Sequence, residues 1–375
     1  MLLLSLRILR EGNAQLRIRS IGSFKTFATC LLLLAALSGS AKAQEDESTN
    51  DFLRCTSHCP DRVPPVGHPE RASWVPVGAM ALGNDALVQL LLNVSADGHA
   101  SDVKIERLYG RPSFGQSAID SAKATQFQPA TENGKPVDYY GLSITMLYVG
   151  ALPQYAIPIP LSVAYSDAID LAKDGKVDAA IKAFDKILNA PQANLYGRCM
   201  AAYAEAKLYW DKKDIDSALY FVRIANMQRD RFLPSDVAYK ALHLQFAFAA
   251  ASGQYVEALN TFDELKKSDQ IESGGAEARS ADDMKKTIAA TTPVTVRGWV
   301  HDGTFSGSWR HQLFRRIFEF HDIKGKLDHF ELLCDGHSVT SVISDTAAWT
   351  VPKDWSKCNL YVLGEAGTTF QFYEQ

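Results

Sequence analysis

"VQLLLNVSADGHASDVKIERLYG", residues 88–110, decides the fold of the first part of this chain. Apolar residues stand at every second position in each half, which is the period of a β-strand. Between the halves lies Asp97-Gly98, a dipeptide typical of a tight hairpin turn. The stretch therefore predicts two antiparallel strands joined by a short turn.

A helix and a third strand follow this hairpin. Ser113 and Gln116 have the spacing of a capping box, which predicts the start of a helix. After an Asn133-Gly134 turn, a second alternating segment runs until Pro153, since proline cannot continue a paired strand. One face of this strand carries Leu142, Ile144, Met146 and Tyr148, and the other carries Ser143, Thr145 and Leu147. Residues 79–152 are thus predicted to form one helix packed on three strands.

These residues resemble the C-terminal domain of TonB, the periplasmic end of an energy transducer. The resemblance rests on the hairpin, on Phe127-Gln128-Pro129-Ala130 and on Gly134-Lys135-Pro136-Val137. It implies binding by strand addition, in which an extended segment of an outer-membrane transporter pairs with the last strand. The implied partner-binding residues are Leu142, Ser143, Ile144, Thr145, Met146, Leu147 and Tyr148.

A second interpretation keeps the same fold without the binding role: the domain is a small stable module whose strand edge is covered by the next domain. An energy transducer also needs a membrane anchor and a long proline-rich spacer that reaches across the periplasm. Neither is found in the sequence. We therefore expect passive recognition in place of force transmission.

The N-terminus has the layout of an export signal. Basic residues precede the apolar run from Thr26 to Leu37, and small residues lead to Ala43, after which cleavage is predicted. The apolar run is shorter than the ~20 residues that cross a bilayer. Residues 1–43 are thus predicted to be a signal peptide and residues 44–78 a linker. The expected location is the periplasm or the exterior of a Gram-negative cell.

The charge of the exported chain argues against nucleic-acid binding. The sequence has 39 basic and 43 acidic residues, of which residues 1–43 hold six and one. Removal of that segment leaves 33 basic and 42 acidic residues, a net charge of about −9. Such an acidic chain gains nothing from releasing counterions from a phosphate backbone.

The middle of the chain contains an internal repeat. The segments "DGKVDAAIKAFDKIL", "KKDIDSALYFVRIAN" and "SGQYVEALNTFDELK" place alanines at 180, 218 and 258 and larger apolar residues four positions later. A helical segment precedes each, so residues 153–272 resemble tetratricopeptide repeats. Their stacked hairpins are expected either to bind a peptide on the concave face or to act as a spacer between neighbouring domains.

The C-terminal region is predicted to be all β. After a linker at residues 273–291, residues 292–375 contain six short strand patterns, which indicate a sandwich or a barrel. The segments are "PVTVRGWV", "IFEFHDI", "KLDHFELLCD", "HSVTSVI", "CNLYVLG" and "TTFQFYEQ". Cys334 and Cys358 each face the core side of a strand, so an exported chain is expected to join them in a disulfide.

Other cysteines and the histidines give weaker indications. Cys55 and Cys59 flank His58, a pattern that fits a small disulfide better than a metal site, which needs more ligands. Cys199, in a repeat helix, is expected to be buried and free. The histidines at 301, 311, 321, 329 and 337 form no metal-binding motif, and solvated strand positions are the simplest explanation for them.

The fold class predicted from the sequence is α+β with three domains, and the predicted function is a periplasmic protein-interaction adaptor. No catalytic motif or phosphate-binding glycine loop is found, so neither an enzyme nor a cofactor is expected. The alternative is an envelope hydrolase or glycan-binding protein with its site in the last domain. It rests on four tryptophans there: Trp299, Trp309, Trp349 and Trp355.

Overall fold

The computed structural model describes residues 62–69, 85–149, 156–267, 274–301, 308–345 and 347–375. The predicted signal peptide and the pair Cys55 and Cys59 lie outside these ranges. All described residues belong to one unit of the chain, Lys42–Gln375. Within the described ranges the chain forms nine helices and four antiparallel sheets.

The first domain is a three-stranded sheet with one helix on one face. Its elements are β1 (Arg62–Val63), β2 (Ala86–Val94), β3 (Ala100–Tyr109), α1 (Pro112–Ala124), β4 (Ala130–Glu132), β5 (Lys135–Val137) and β6 (Tyr139–Tyr148). The main sheet has the order β3-β2-β6, and β1, β4 and β5 form a second, small sheet. Alternate apolar residues of β2 pack against α1, as the two-residue period predicts.

Two local predictions for this domain are wrong. Helix α1 begins at Pro112 with Arg111 as its N-cap and no capping side chain, because proline at the first helical position sets the start by itself. Gln116 instead donates to Asp120 Oδ1 at 2.8 Å. Part of the predicted linker 44–78 is also structured, since β1 pairs with β4. Its Arg62 guanidinium contacts Glu132 and the backbone carbonyl of Asp335 in the last domain.

The middle region is helical. It contains α2 (Ile159–Lys173), α3 (Val177–Leu188), α4 (Leu195–Asp211), α5 (Ile215–Ala225), α6 (Arg229–Phe232), α7 (Ser235–Ala251), α8 (Tyr255–Lys266) and α9 (Ala276–Ala289). Three hairpins pair α2 with α3, α4 with α5, and α7 with α8. The repeated alanines Ala180, Ala218 and Ala258 are fully buried, because a small side chain lets the paired helices approach closely.

Helix α9 occupies residues that the sequence suggested were a linker. Its composition is mostly charged and small, and only Ala281, Met284 and Ile288 are buried. These three form a narrow stripe at helical spacing, with Met284 packed on the repeats and Ile288 on the last domain. The prediction of a linker at residues 273–291 is therefore corrected to a connecting helix for most of its length.

The last domain is a sandwich of two four-stranded sheets. Its strands are β7 (Val294–Trp299), β8 (Ser308–Gln312), β9 (Ile317–Lys324), β10 (Leu327–Cys334), β11 (His337–Val342), β12 (Trp349–Thr350), β13 (Asn359–Gly364) and β14 (Thr369–Glu374). The sheet orders are β11-β10-β13-β8 and β12-β9-β14-β7. The six predicted strands are present, and β8 and β12 were missed. Cys334, the last residue of β10, forms a disulfide with Cys358, which immediately precedes the neighbouring strand β13.

The interior of this domain corrects the prediction for His311. This side chain is 1% exposed and lies between two acceptors: Nε2 is 2.8 Å from Glu374 Oε2, and Nδ1 is 2.8 Å from Gln254 Oε1. The backbone N–H groups of Phe314 and Arg315 donate to the other Glu374 oxygen. Hydrogen bonding to Glu374, 63 residues away, offsets the cost of burying the imidazole. The local sequence around His311 does not indicate this partner.

The face of the first sheet opposite α1 is covered in part by the other two regions. Leu87 and Leu147 pack against buried side chains of α4 and α7, such as Leu195. Toward the other end of the sheet, Lys104 Nζ lies 3.0 Å from Glu331 Oε1 of β10. One face of this sheet is therefore packed by α1, and part of the other face contacts the helical region and the sandwich.

Candidate partner-binding strand

Strand β6 is the last strand of the first sheet. It pairs with β2 in unbroken register from Ala86 opposite Tyr148 to Leu92 opposite Leu142. Among the described strands β2 is its only hydrogen-bonded neighbour, so β6 and β3 are the two edges of this sheet, although β6 also contacts β10 and β11 of the sandwich. The predicted partner-binding residues 142–148 lie together on this edge strand, as the alternation indicated.

Four of these residues anchor the strand to its own domain. Met146 and Tyr148 are buried, and Leu142 and Ile144 are half-buried in the same core as α1. The Tyr148 ring lies 5.0 Å from the ring of Phe114, and burial raises the pKa of the Tyr148 hydroxyl. These side chains fix the position of the strand within the first domain.

The remaining three residues face away from α1. Ser143 and Thr145 are exposed, and Leu147 is half-buried at the junction with the helical region. Gln89 Nε2 of β2 donates to Ser143 Oγ at 3.0 Å. Small polar side chains at 143 and 145 leave room beside the strand for another chain to approach.

The start of β6 has a feature that the sequence reading missed. Gly141 has a φ of +74°, its N–H donates to Asn93 Oδ1 at 3.1 Å, and the register with β2 shifts there. A Cβ at this position would lie 3.0 Å from Leu333 Cδ1 of β10. A glycine within a strand pattern is the available sequence signal for such a bulge. The bulge lets β6 pass closely over the last domain.

Electrostatics at this end of the strand also involve the last domain. Burial, and to a lesser degree the Asp335 carboxylate, raise the pKa of Tyr139. From Ser143 to Leu147 the strand carries no titratable side chain. Within the described parts of the chain, no group of three or more His, Cys, Asp or Glu side chains could hold a metal ion. What this edge offers is therefore backbone hydrogen bonding.

The tryptophans that support the alternative function have mainly structural positions. Trp309 is buried in the sandwich core, and Trp349 and Trp355 pack against that core. The Trp349 ring lies 5.0 Å from the ring of Phe330. Trp299 is half-buried beside a cavity at the junction with the helices. These positions do not form the row of exposed rings on which a glycan chain would stack.

Cys199 is buried and free, as the sequence indicated. Burial raises the pKa of its thiol to about 12. The thiolate is the reactive form of cysteine, so burial disfavours a nucleophilic role for this residue.

Comparison with known protein families supports the resemblance inferred for the first domain. Residues 76–149 match the family described as the Gram-negative bacterial TonB protein C-terminal. That family is a non-enzymatic protein-interaction domain of the cell envelope. No curated protein is significantly similar in sequence to this chain.

A solved structure resembles part of the chain. It is the crystal structure of a putative kinesin light chain from Podospora anserina with nearly identical TPR-like repeats. The identity is 14%, the match covers 36% of this chain and 68% of that one, and the TM-score is 0.28. This likeness is too distant to indicate a function. Separately, none of the helices in the described ranges is long and apolar enough to span a membrane.

Proposed function

We propose that this protein is a periplasmic adaptor that binds an extended segment of an envelope protein by strand addition to β6. The observation that carries the proposal is the position of β6 at the edge of a sheet that is packed by α1 on one face and covered in part on the other. An added strand would pair with the backbone groups of residues 142–148 on the side of β6 away from β2. Outer-membrane transporters are the first partner class to test.

The free energy of such binding comes from backbone hydrogen bonds, because an edge strand presents a row of unpaired donors and acceptors. Specificity would come from the side chains beside the edge, where Ser143 and Thr145 are small and exposed. Since the recognition surface contains no catalytic group, the proposal assigns the chain no enzyme activity.

The test uses proline, which removes a backbone donor. Neighbouring amides of a strand point to opposite edges, so Ile144→Pro and Thr145→Pro remove donors from opposite sides of β6. The variant whose lost N–H pointed outward should stay folded and lose its partner. The other variant should lose a bond to β2 and unfold at lower temperature. Ser143→Pro repeats the Thr145 test, because amides two residues apart share an edge.

The measurement is capture of envelope proteins by the exported chain, followed by mass spectrometry, with circular dichroism on each variant. Ile144→Ala is the matched control, since it removes the side chain of Ile144 and keeps the donor. A folded outward-facing proline variant that captures the same proteins as the unaltered chain would refute strand addition.

A further inference from the structure

A polar cavity of about 360 Å³ lies where the three regions of the chain meet, and the proposed adaptor function does not use it. Its walls come from β3 of the first domain, from helices α5, α6, α7 and α8, and from β8 and β13 of the sandwich. A second cavity of about 190 Å³ shares Arg107, Arg223, Gln254 and Arg310 with it. The size is that of a small-molecule site.

The lining of the larger cavity has an excess of positive charge. It contains four arginines and two glutamates. Arg223 is paired with Glu257, with its Nε 2.9 Å from Oε1, and Arg229 Nη2 lies 2.9 Å from Glu264 Oε2. The two glutamates are thereby neutralised, and Arg107 and Arg310 are left over.

These two arginines come from different domains. Arg107, on β3, has no ion pair with any described residue. Arg310, on β8, lies 3.7 Å from its nearest carboxylate, Glu106 Oε1, and donates to Asn359 Oδ1 at 3.2 Å. Arg107 thus has no carboxylate partner in the described chain, and Arg310 has only a long ion pair with Glu106. Both line the cavity and offer a site for an anion, because guanidinium binds carboxylate and phosphate through paired hydrogen bonds.

Asn226, which lines the same cavity, carries a buried acceptor. Asn226 is 9% exposed, and its Nδ2 donates to the Ala241 carbonyl at 2.8 Å and to Gln245 Oε1 at 2.9 Å. Its Oδ1 is buried and has no hydrogen-bond partner in the described part of the chain. An unpaired buried acceptor is costly, so a bound hydroxyl or N–H that donates to it would be favoured.

The rest of the lining suits a hydroxylated molecule. Six carboxamide side chains line the cavity: Asn226, Gln245, Gln254, Asn260, Gln312 and Asn359. Each carboxamide offers both donors and an acceptor, the combination that a hydroxyl group requires. The only aliphatic or thioether side chains in the lining are those of Met227 and Leu242, so an apolar ligand would find little surface.

We propose that this cavity binds a small hydroxylated anion of the class of sugar acids and sugar phosphates. Arg107 and Arg310 hold the anionic group, and a ligand hydroxyl donates to Asn226 Oδ1. Because these three residues belong to the first, third and second regions of the chain, a bound ligand also ties the regions together. The ligand would therefore stabilise the junction that covers the first sheet.

Isothermal titration calorimetry of the exported chain tests this proposal with four probes. Glucuronate and glucose 6-phosphate carry both recognition elements, whereas glucose and inorganic phosphate each carry one. Either or both charged sugars should bind at least tenfold more tightly than glucose and phosphate. The relative affinity of glucuronate and glucose 6-phosphate distinguishes carboxylate from phosphate as the anionic group.

Variants locate the site. Arg107→Gln and Arg310→Gln should each weaken the charged sugar at least tenfold. Arg111→Gln, an exposed position of the first domain outside the cavity, should change the affinity less than twofold. Asn226→Ala should weaken the charged sugar and leave phosphate binding unchanged. Circular dichroism identifies the folded variants, and either arginine variant suffices if the other fails to fold.

Three results would overturn the assignment. The first is the absence of binding by both charged sugars at millimolar concentration. The second is phosphate binding as tightly as glucose 6-phosphate, which would mean a simple anion site. The third is unchanged affinity in a folded Arg107→Gln or Arg310→Gln variant. An acidic peptide that competes more strongly than either sugar would likewise reject the sugar class.

Discussion

The first sheet differs between its face opposite α1, which contacts the other two regions of the chain, and its edge at β6. The face opposite α1 is covered in part: Leu87 and Leu147 pack against the helical region, and the half-exposed Lys104 pairs with Glu331 of the sandwich. The edge at β6 has small exposed side chains and, among described strands, one hydrogen-bonded neighbour. The start of β6 also contacts β10 and β11 of the sandwich, and we propose that the remainder of this edge is available for recognition.

This contrast implies that substitutions on the face should change stability and substitutions on the edge should change binding. Apolar burial stabilises in proportion to the area removed from water, and an exposed edge contributes almost none of it. An edge strand instead carries backbone groups that a partner can pair. The predictions below test this division from the largest expected effect to the smallest.

Truncation of a buried face residue should have the largest effect. Leu87 is 1% exposed, and Leu87→Ala should lower the free energy of unfolding by about 2–5 kcal/mol, because burial is lost and a cavity remains. The edge substitution Thr145→Ala should stay within about 0.5 kcal/mol of the unaltered chain. Urea unfolding of both variants measures the difference. Equal losses would show that face and edge are not distinct.

The helical cover of the face should be sensitive to pH through Glu205. This side chain of α4 is fully buried, both of its oxygens lack partners within the described chain, and burial raises its pKa to about 9 from 4.5. The folded state therefore keeps a proton that the unfolded chain releases above pH 4.5. Stability from this group is complete below pH 4.5 and is lost as pH rises toward 9.

Glu205→Gln should remove this dependence. At pH 7 the variant should be more stable by about 3 kcal/mol, since each unit of pKa shift corresponds to about 1.4 kcal/mol. Unfolding in urea at pH 5, 7 and 9 should show the unaltered chain weakening and the variant changing less. Binding at residues 143–147, which lack titratable side chains, should vary little over the range in which the protein stays folded. Parallel pH curves for the two proteins would contradict this role of Glu205.

The Cys334–Cys358 disulfide should stabilise the sandwich, the domain that contacts Lys104 on the first sheet. Cys334 and Cys358 are 24 residues apart, and closing such a loop contributes roughly 3 kcal/mol on the chain-entropy model. Thermal unfolding with and without reductant measures the loss, and peptide mapping identifies the bridge. An unfolding midpoint unaffected by reduction of this bond would be the contrary result.

The polar contact on the face should have a small effect. Lys104 is about half exposed, and surface ion pairs contribute about 0–1 kcal/mol. Lys104→Gln should therefore cost less than 1 kcal/mol, with the loss decreasing at high salt because the charges are screened. Urea unfolding at low and high salt tests this. A larger loss of unfolding free energy that does not depend on salt would show that Lys104 stabilises the protein through packing and not through its charge.

The elements predicted correctly from sequence are those with local signals. The β2–β3 hairpin has a two-residue period and an Asp97-Gly98 turn, and Gly98 has the positive φ that such a turn requires. The chain reversal before β6 is marked by Asn133-Gly134, where both residues have positive φ. The second face of β2 alternates Leu87 and Leu91 with Gln89 and Asn93, and its cover by the helical region was not predicted from the sequence.

The missed features depend on contacts that are distant in sequence. The burial of His311 requires Glu374, and the bulge at Gly141 fits against Leu333 of another domain. Strand β8 is short and polar, and it is stabilised by pairing with β13 about 50 residues later. The cavity lined by Arg107 and Arg310 likewise forms only when the domains pack together.

Site-specific photo-crosslinking in living cells tests the central claim most directly. A photoreactive amino acid at Thr145 of the exported chain probes the β6 edge, and the same amino acid at the exposed Lys123 on α1 is the control. We expect a discrete adduct with an envelope protein from position 145 and none of that mass from position 123. The absence of any adduct from 145, or the same adduct from both positions, would contradict recognition through the edge of β6.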